Sequence, residues 1–317
     1  MITNIDVTLR DGGYRNNFSF PVEYAVEHAG LSVEAGLEWV EIAYRKGSFK
    51  PIPGIGRTGL GDDEYIRTVA KVIGPDRVAM ILHPRNIDED DLGQMYAAGV
   101  RLVRICLNAA EPEAGLDTVR RAKALGFTVA VNFTRVTQQH RRQLVQASAE
   151  VAEAGADVVY LADSNGSLTP DGTRRLVTTI GHVVHCAIGL HAHNNLGLAL
   201  SNSIAAIEAG ATWIDSSVLG MGKGPGNLPT EQWLAYLTRS QEHSGYRLGS
   251  ALRLAERLAD TIAESAPQLP LADLLLGWFD LAVEHRAQLG GPDIADQFAA
   301  AAELAAAAEL AQVVRAA

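Results

Sequence analysis

One pattern of apolar and polar positions recurs along the chain. A helix-like stretch closes in glycine, and a short, continuous apolar run rich in β-branched residues follows: "EAGLEWVEIAYR", "VIGPDRVAMILH", "AAGVRLVRICLN", "ALGFTVAVNFT", "EAGADVVYLADS" and "EAGATWIDSSVLG". The glycines are Gly36, Gly74, Gly99, Gly126, Gly155 and Gly210. Glycine just past a helix end takes the left-handed conformation without a Cβ penalty, so each is expected to mark the step from helix to strand. "ITNIDVTLR" at the start and "CAIGLHAH" from residue 186 complete eight strand candidates separated by helix-length segments. Such uniformly apolar runs suit parallel strands covered on both faces.

Eight units of this kind predict an α/β protein, a (β/α)8 TIM barrel over residues 1–240. An open, doubly wound sheet is the alternative. The polar residues favour the barrel, because they gather at strand ends: Arg10 and Asp11, Glu41, His83, Arg104, Asn132 and Thr134, Asp163 and Ser164, then His191 and His193. A barrel brings the C-terminal ends of all its strands to one mouth, where residues from different strands build a site. Past about residue 245 the pattern becomes helical, in "SALRLAERLADTIAES", "LPLADLLLGWFDLAVEHRAQ" and an alanine-rich ending, with breaks at Pro267, Pro270 and the Gly-Gly-Pro of 290–292. Residues 241–317 are expected to form a helical C-terminal extension that pads the barrel, makes a dimer, covers the mouth or docks a partner.

Composition narrows the function. The 317 residues are 47% hydrophobic and 20% charged, enough to bury a large core. A net charge of -10 argues against nucleic-acid binding, which needs a basic surface to displace counterions. "MITNIDVTLRDGG" lacks the basic and apolar segments of a secretory leader, and no uncharged apolar run approaches the ~18 residues of a membrane span. A cytoplasmic protein without a membrane partner is expected. Cys106 and Cys186 lie in strand-like runs and are read as small buried hydrophobes.

The candidate chemistry centres on "GLHAHNNLGLALSNS", residues 189–203. His191 and His193, two apart on a strand, aim at one point inside the mouth. Two imidazoles and a carboxylate commonly hold a divalent ion with open positions. The carboxylate is sought in "TLRDGG", where Gly12 and Gly13 let the chain turn so that Asp11 faces the ion with Arg10 beside it. His-x-His alone describes two structural histidines equally well; Arg-Asp-Gly at the end of the first strand tips the reading to metal. "GMGKGPGNLPTE", residues 220–231, lacks the spacing of a phosphate-binding P-loop and is expected to fold over the mouth with the Asn227 oxygen near the ion.

In that order and spacing, "DVTLRDGG", "HAHNNLG" and "GMGKGPGN" resemble the HMGL-like (DRE-TIM) metallolyase superfamily of TIM barrels over residues 1 to about 235, with motifs closest to 4-hydroxy-2-oxovalerate aldolase. The resemblance implies metal ligation by Asp11, His191 and His193, with Asn227 as a further ligand or neighbour. The expected ion is Mn or Mg, with Co and Zn also compatible. Arg10 matches an arginine that stabilises an enolate, and Glu41 a glutamate near the metal; Glu41 reads equally as a partner for Arg10. The loop "LGMGKGPGN" lacks the cysteine of the CoA-lyase branch, and the chain stops before the regulatory domain of isopropylmalate synthases. The implied activity is class II cleavage of a 4-hydroxy-2-oxo acid to a pyruvate-type enolate and an aldehyde.

Where the hydroxyoxovalerate aldolases carry a basic histidine, this sequence has Tyr14. The base is therefore Tyr14, His83 or a hydroxide at the ion. Arg104, Asn132, Thr134 and Ser164 are expected to bind substrate. The relatives also imply a homo-oligomer and an acylating aldehyde dehydrogenase as partner. A long connection, residues 44–65, carries Arg45, Lys50 and Arg57 as solvated surface charge or as anion binders. Competing readings are Claisen-type condensation of an acyl-CoA with a 2-oxo acid, and a non-catalytic barrel scaffold. Lysine Schiff-base chemistry is disfavoured because Lys46 and Lys223 lie off the strand interiors, where burial would lower their pKa.

Overall fold

In the computed structural model, strands β1 (Thr3–Asp6), β2 (Trp39–Tyr44), β3 (Val78–Leu82), β4 (Leu102–Leu107), β5 (Thr128–Phe133), β6 (Val158–Asp163), β7 (Ala187–Ala192) and β8 (Trp213–Ser216) pair in sequence order into a closed barrel. Every pairing is parallel, including β1 with β8. The structure describes residues 2–240, 245–268, 270–291 and 293–316. The boundary expected at 240 falls beside residues 241–244, and Pro292 of the last break also lies outside the described residues.

Helices α1 (Val22–Ala35), α2 (Arg57–Leu60), α3 (Asp63–Ile73), α4 (Asp91–Ala98), α5 (Glu113–Ala124), α6 (Arg141–Glu153), α7 (Pro170–Gly181), α8 (Ala199–Glu208) and α9 (Thr230–Arg239) cover the barrel. All six glycines singled out in the sequence have positive φ, between 81° and 121°, so they do end the helices as expected. The open-sheet alternative is excluded by the β1–β8 pairing.

Inside the barrel, the two-residue period of each strand stacks side chains in layers. The lowest is apolar, with Ile5, Ala79, Leu102, Ala130 and Val158 packed beside Trp39, Ala187 and Trp213. Two residues further along the same strands come Glu41, Arg104, Asn132, Tyr160 and Asp215, nearly all fully buried. One further step reaches Cys106, Thr134, Ala162 and His191, which line a cavity at the C-terminal mouth. Polarity therefore rises along the barrel axis toward the mouth.

The C-terminal part adds α10 (Leu248–Thr261), which packs on α1 and α9, then α11 (Leu271–Trp278), a 3-10 turn (Val283–Gln288) and α12 (Ile294–Ala316). α11 and α12 share a small core of Leu275, Leu276, Leu281, Leu289 and Ala301. No described helix is long and apolar enough to cross a membrane. Cys106 and Cys186 are free thiols, the first buried and the second half-buried.

Gly189 shows how tight the middle layer is: a Cβ there would lie 2.5 Å from the Tyr160 ring. Gly189→Ala is expected to destabilise the protein by about 1–3 kcal/mol through overpacking, read as a lowered denaturant midpoint.

Candidate metal centre and active site

Asp11 does not sit at the strand end expected for it: β1 closes at Asp6, and a turn running into the 3-10 helix Gly12–Tyr14 carries Asp11 to His191, near the end of β7, and His193, just beyond it. One ligand atom from each lies within 4.8 Å of the others, and all three residues are buried. The hydrogen bonds decide what the imidazoles offer. His191 Nδ1 faces Asp215 Oδ2 at 2.9 Å, and His193 Nδ1 faces the Lys223 carbonyl at 3.2 Å. A carboxylate and a carbonyl only accept, so each Nδ1 carries the proton and each Nε2 presents a lone pair. Those two Nε2 atoms converge to 3.2 Å, and His193 Nε2 is 4.0 Å from Asp11 Oδ2. Ligand atoms held at bonds of about 2.1 Å around one ion sit roughly 3–4 Å apart, so this set fits a divalent cation.

Charge supports the fit. Burial pushes the His193 imidazole down to about 4, helped by neighbouring cations, so it stays neutral at ordinary pH. Burial opposes the ionised form of Asp11, yet the adjacent Arg10 guanidinium, with the hydrogen bond from Asn227, outweighs it and holds the carboxyl well below its usual range. Asn227 donates Nδ2 to Asp11 Oδ2 at 2.9 Å, while its Oδ1 is buried without a hydrogen-bond partner among the described residues. Asn227 thus braces Asp11 and keeps an unused oxygen. The glycine-dense loop that carries it does fold over the mouth: the Lys223 amide also donates to Asp11 Oδ2, at 3.2 Å.

Behind the ligands runs a circuit of alternating charge. Arg10 donates Nη1 to Asp11 Oδ1 at 2.6 Å and Nε to Glu41 Oε2 at 2.5 Å. Glu41 Oε1 lies 3.2 Å from Arg104 Nη1, an ion pair without hydrogen-bond alignment. Arg104 then donates Nη2 to Asp215 Oδ2 at 2.6 Å, the same oxygen that receives His191 Nδ1–H. Buried charges of this kind hold only when paired, because desolvation otherwise dominates.

The cavity above has a volume of about 220 Å³. Of the residues singled out in the sequence, Arg10, Asp11, Tyr14, His83, Asn132, Thr134, Ser164, His191 and His193 line it. Glu41, Arg104 and Asn227 do not. Arg104, expected on the substrate, is fully buried beneath the cavity, its guanidinium engaged by Asp215 and stacked 4.3 Å from the Tyr160 ring centre. Glu41 takes the position of a partner to Arg10. Asp163 turns to accept the Ser167 and Leu168 amides at 3.0 Å each, and so anchors a loop. Arg45, expected as surface charge or anion binder, is instead buried among Asp91, Asp63 and Gln94.

On one wall Tyr14 bonds Ser48 Oγ and, at 3.1 Å, the Tyr44 hydroxyl. Burial raises the Tyr14 pKa, which disfavours its phenolate. The His83 ring stacks on Tyr44 with centroids 5.9 Å apart, and its Nε2 is buried without a hydrogen-bond partner among the described residues. Burial lowers the His83 pKa to about 4. Sequence reasoning missed Asp215, Tyr44, Arg135 and Glu284. Asp215 carried a signal, lying at the inward position of "WIDSS"; Glu284 carried none.

Asp215→Asn keeps the shape and removes the charge behind His191. It is expected to weaken Mn binding by about 10- to 100-fold in isothermal titration calorimetry, with an unchanged circular dichroism spectrum.

Comparison with known proteins places these features in a family. The HMGL-like family model matches residues 1–258. A 4-hydroxy-2-oxovalerate aldolase from Brevibacillus brevis is 33% identical, over 92% of this chain and 87% of its own length. The protein of the same name from Thermus thermophilus is 31% identical, over 86% and 79%. Among solved structures, the N-terminal domain of a proposed aldolase from Bacteroides vulgatus superposes with a TM-score of 0.80 at 24% identity, covering 90% of this chain and 95% of that one, and shares the fold. With the family model covering most of the chain and a curated relative 33% identical over the aligned part, the chain belongs to the HMGL-like family.

Proposed function

We propose that this protein is a divalent-metal-dependent aldolase that cleaves a 4-hydroxy-2-oxo acid between C3 and C4, releasing a pyruvate-type 2-oxo acid and an aldehyde. The observation that carries the reading is the convergence of two imidazole lone pairs and a carboxylate beside a fixed guanidinium in one cavity. The names of the curated relatives support it over acyl-CoA condensation and over a non-catalytic scaffold. A divalent ion held by Asp11, His191 and His193 would supply Lewis acidity toward the 2-oxo and carboxylate oxygens of the substrate. Mn or Mg suits this mixed oxygen and nitrogen set, with Co and Zn compatible.

The protein's own groups do the rest. Arg10 is locked by Glu41 and Asp11 through Nε and Nη1, and its Nη2 has no hydrogen-bond partner among the described residues. That N–H is available to the C2 oxygen as the C3–C4 bond breaks and its electron pair becomes the enolate. The C4 hydroxyl must lose its proton in the same step. His83 is the better acceptor: its imidazole is neutral, lines the cavity and has an unpartnered Nε2, whereas the Tyr14 hydroxyl is held by Ser48 and Tyr44 and resists ionisation. Tyr14 is assigned a positioning role as a neutral donor. Protonation of the enolate at C3 completes the 2-oxo acid. Asn132, Thr134 and Ser164 offer polar contacts along the opposite wall.

An acylating aldehyde dehydrogenase partner and a homo-oligomeric state belong to the same proposal, supported by exposed Leu271, Trp278 and Phe298 on α11 and α12. A cytoplasmic setting is supported by the two free thiols.

Chelated protein re-supplied with Mn is expected to release pyruvate from 4-hydroxy-2-oxovalerate, and His191→Ala to abolish the release. Metal-loaded protein that releases none overturns the assignment. His83→Ala is expected to lower kcat by about 10²–10⁴ with Mn affinity retained, and Tyr14→Phe by less than about tenfold. The reverse order in steady-state kinetics would make Tyr14 the base.

A further inference from the structure

At the outer end of the cavity two cations share one carboxylate. Lys223 Nζ lies 3.0 Å from Glu284 Oε1, and Arg135 Nη2 lies 3.3 Å from Glu284 Oε2. All three residues line the cavity. Lys223 is fixed relative to the reacting centre, because its amide bonds Asp11 and its carbonyl bonds His193. Arg135 is fixed too, its amide donating to Ser164 Oγ at 3.0 Å from a backbone with φ of 52°.

Glu284 comes from elsewhere, the turn that follows α11. Its segment is tied down independently at Asp280, whose Oδ1 receives the Thr137 hydroxyl at 2.7 Å, Asn165 Nδ2 at 2.8 Å and the Ser167 hydroxyl at 2.9 Å. The Asp280 carbonyl receives Gln138 Nε2 at 2.5 Å. The carboxylate of Glu284 is thus a tethered anion delivered to a site that barrel loops have built.

We propose that Glu284 occupies, with its own carboxylate, an anion-binding site formed by Lys223 and Arg135, and thereby makes the enzyme select substrates whose C4 substituent is uncharged over those ending in a carboxylate. A free carboxylate tail must displace a tethered one, whose local concentration is set by the chain rather than by the solution. With the tethered charge gone, both cations face the cavity unneutralised and attract such a tail. This assignment rests on the aldolase reading for its substrate, but not for its ligand.

The test uses the metal-loaded full chain and compares kcat/KM for pyruvate release from 4-hydroxy-2-oxovalerate and from 4-hydroxy-2-oxoheptanedioate. Glu284→Gln is expected to raise the ratio of the second to the first by at least about tenfold, chiefly through KM, and adding Arg135→Met is expected to reverse the gain. A ratio unchanged within about twofold, with both substrates moving together, overturns the proposal and leaves Glu284 as a strap residue only. If the wild type cleaves neither compound, the aldolase reading fails by itself. Glutarate binding then decides for the anion site: glutarate should raise the Tm of Glu284→Gln, but not of the wild type or of the double variant. No selective rise overturns it.

Discussion

The structure depends on a buried circuit of charge that joins two of the three candidate metal-binding residues through the inside of the barrel. Asp11, Arg10, Glu41, Arg104, Asp215 and His191 follow one another across β1, β2, β4, β8 and β7 or the residues just beyond them. Two guanidinium groups and three carboxylates leave one net negative charge at the foot of the cavity when the imidazoles are neutral. Such an arrangement is costly unless every member is paired, so the positions of its members are mutually fixed. It supplies what a catalytic cation needs: ligands aimed before the ion arrives, with tautomers already set.

The layers below and above this circuit follow from one period. Because inward side chains recur every second residue, an apolar floor, a charged middle and a polar cavity stack on the same strands. The floor, with Leu102, Ala130 and Val158, excludes water from the charged layer and strengthens its interactions. The middle layer is filled partly by the Tyr160 ring over Gly189, a glycine required for space rather than for conformation.

Much of this was readable in the chain and some was not, for physical reasons. Eight apolar runs, six of them preceded by a helix-ending glycine whose φ proves positive, predicted the barrel, since that rule is local. His191, His193 and Asp11 were readable because strand ends must converge at a mouth. Depth was not readable: Arg104 sits at a strand position next to the site in sequence terms, yet one layer lower in space, where it serves His191 through Asp215. Glu41 likewise stood between two roles until its distance from Arg10 was known. Arg45 looked like surface charge because the acids that bury it, Asp63 and Asp91, are distant in sequence. Glu284 lies in a stretch that reads only as part of a helical extension, and the path of the chain after α11 is what brings it to the cavity.

The family model ends at residue 258, but the alignment with the Brevibacillus brevis relative covers 92% of the chain and so runs past it; the wall contributed by Glu284 comes from this later part. The reacting centre belongs to a barrel whose charges are interlocked and whose members cannot change singly. The outer wall comes from the C-terminal segment, which is bonded to the barrel loops at Asp280 and, through the Asp273 carbonyl, at Asn195. A side chain of that segment can therefore be exchanged without removing any member of the buried circuit, so the shape and charge of the entrance are physically separable from the reacting centre beneath it.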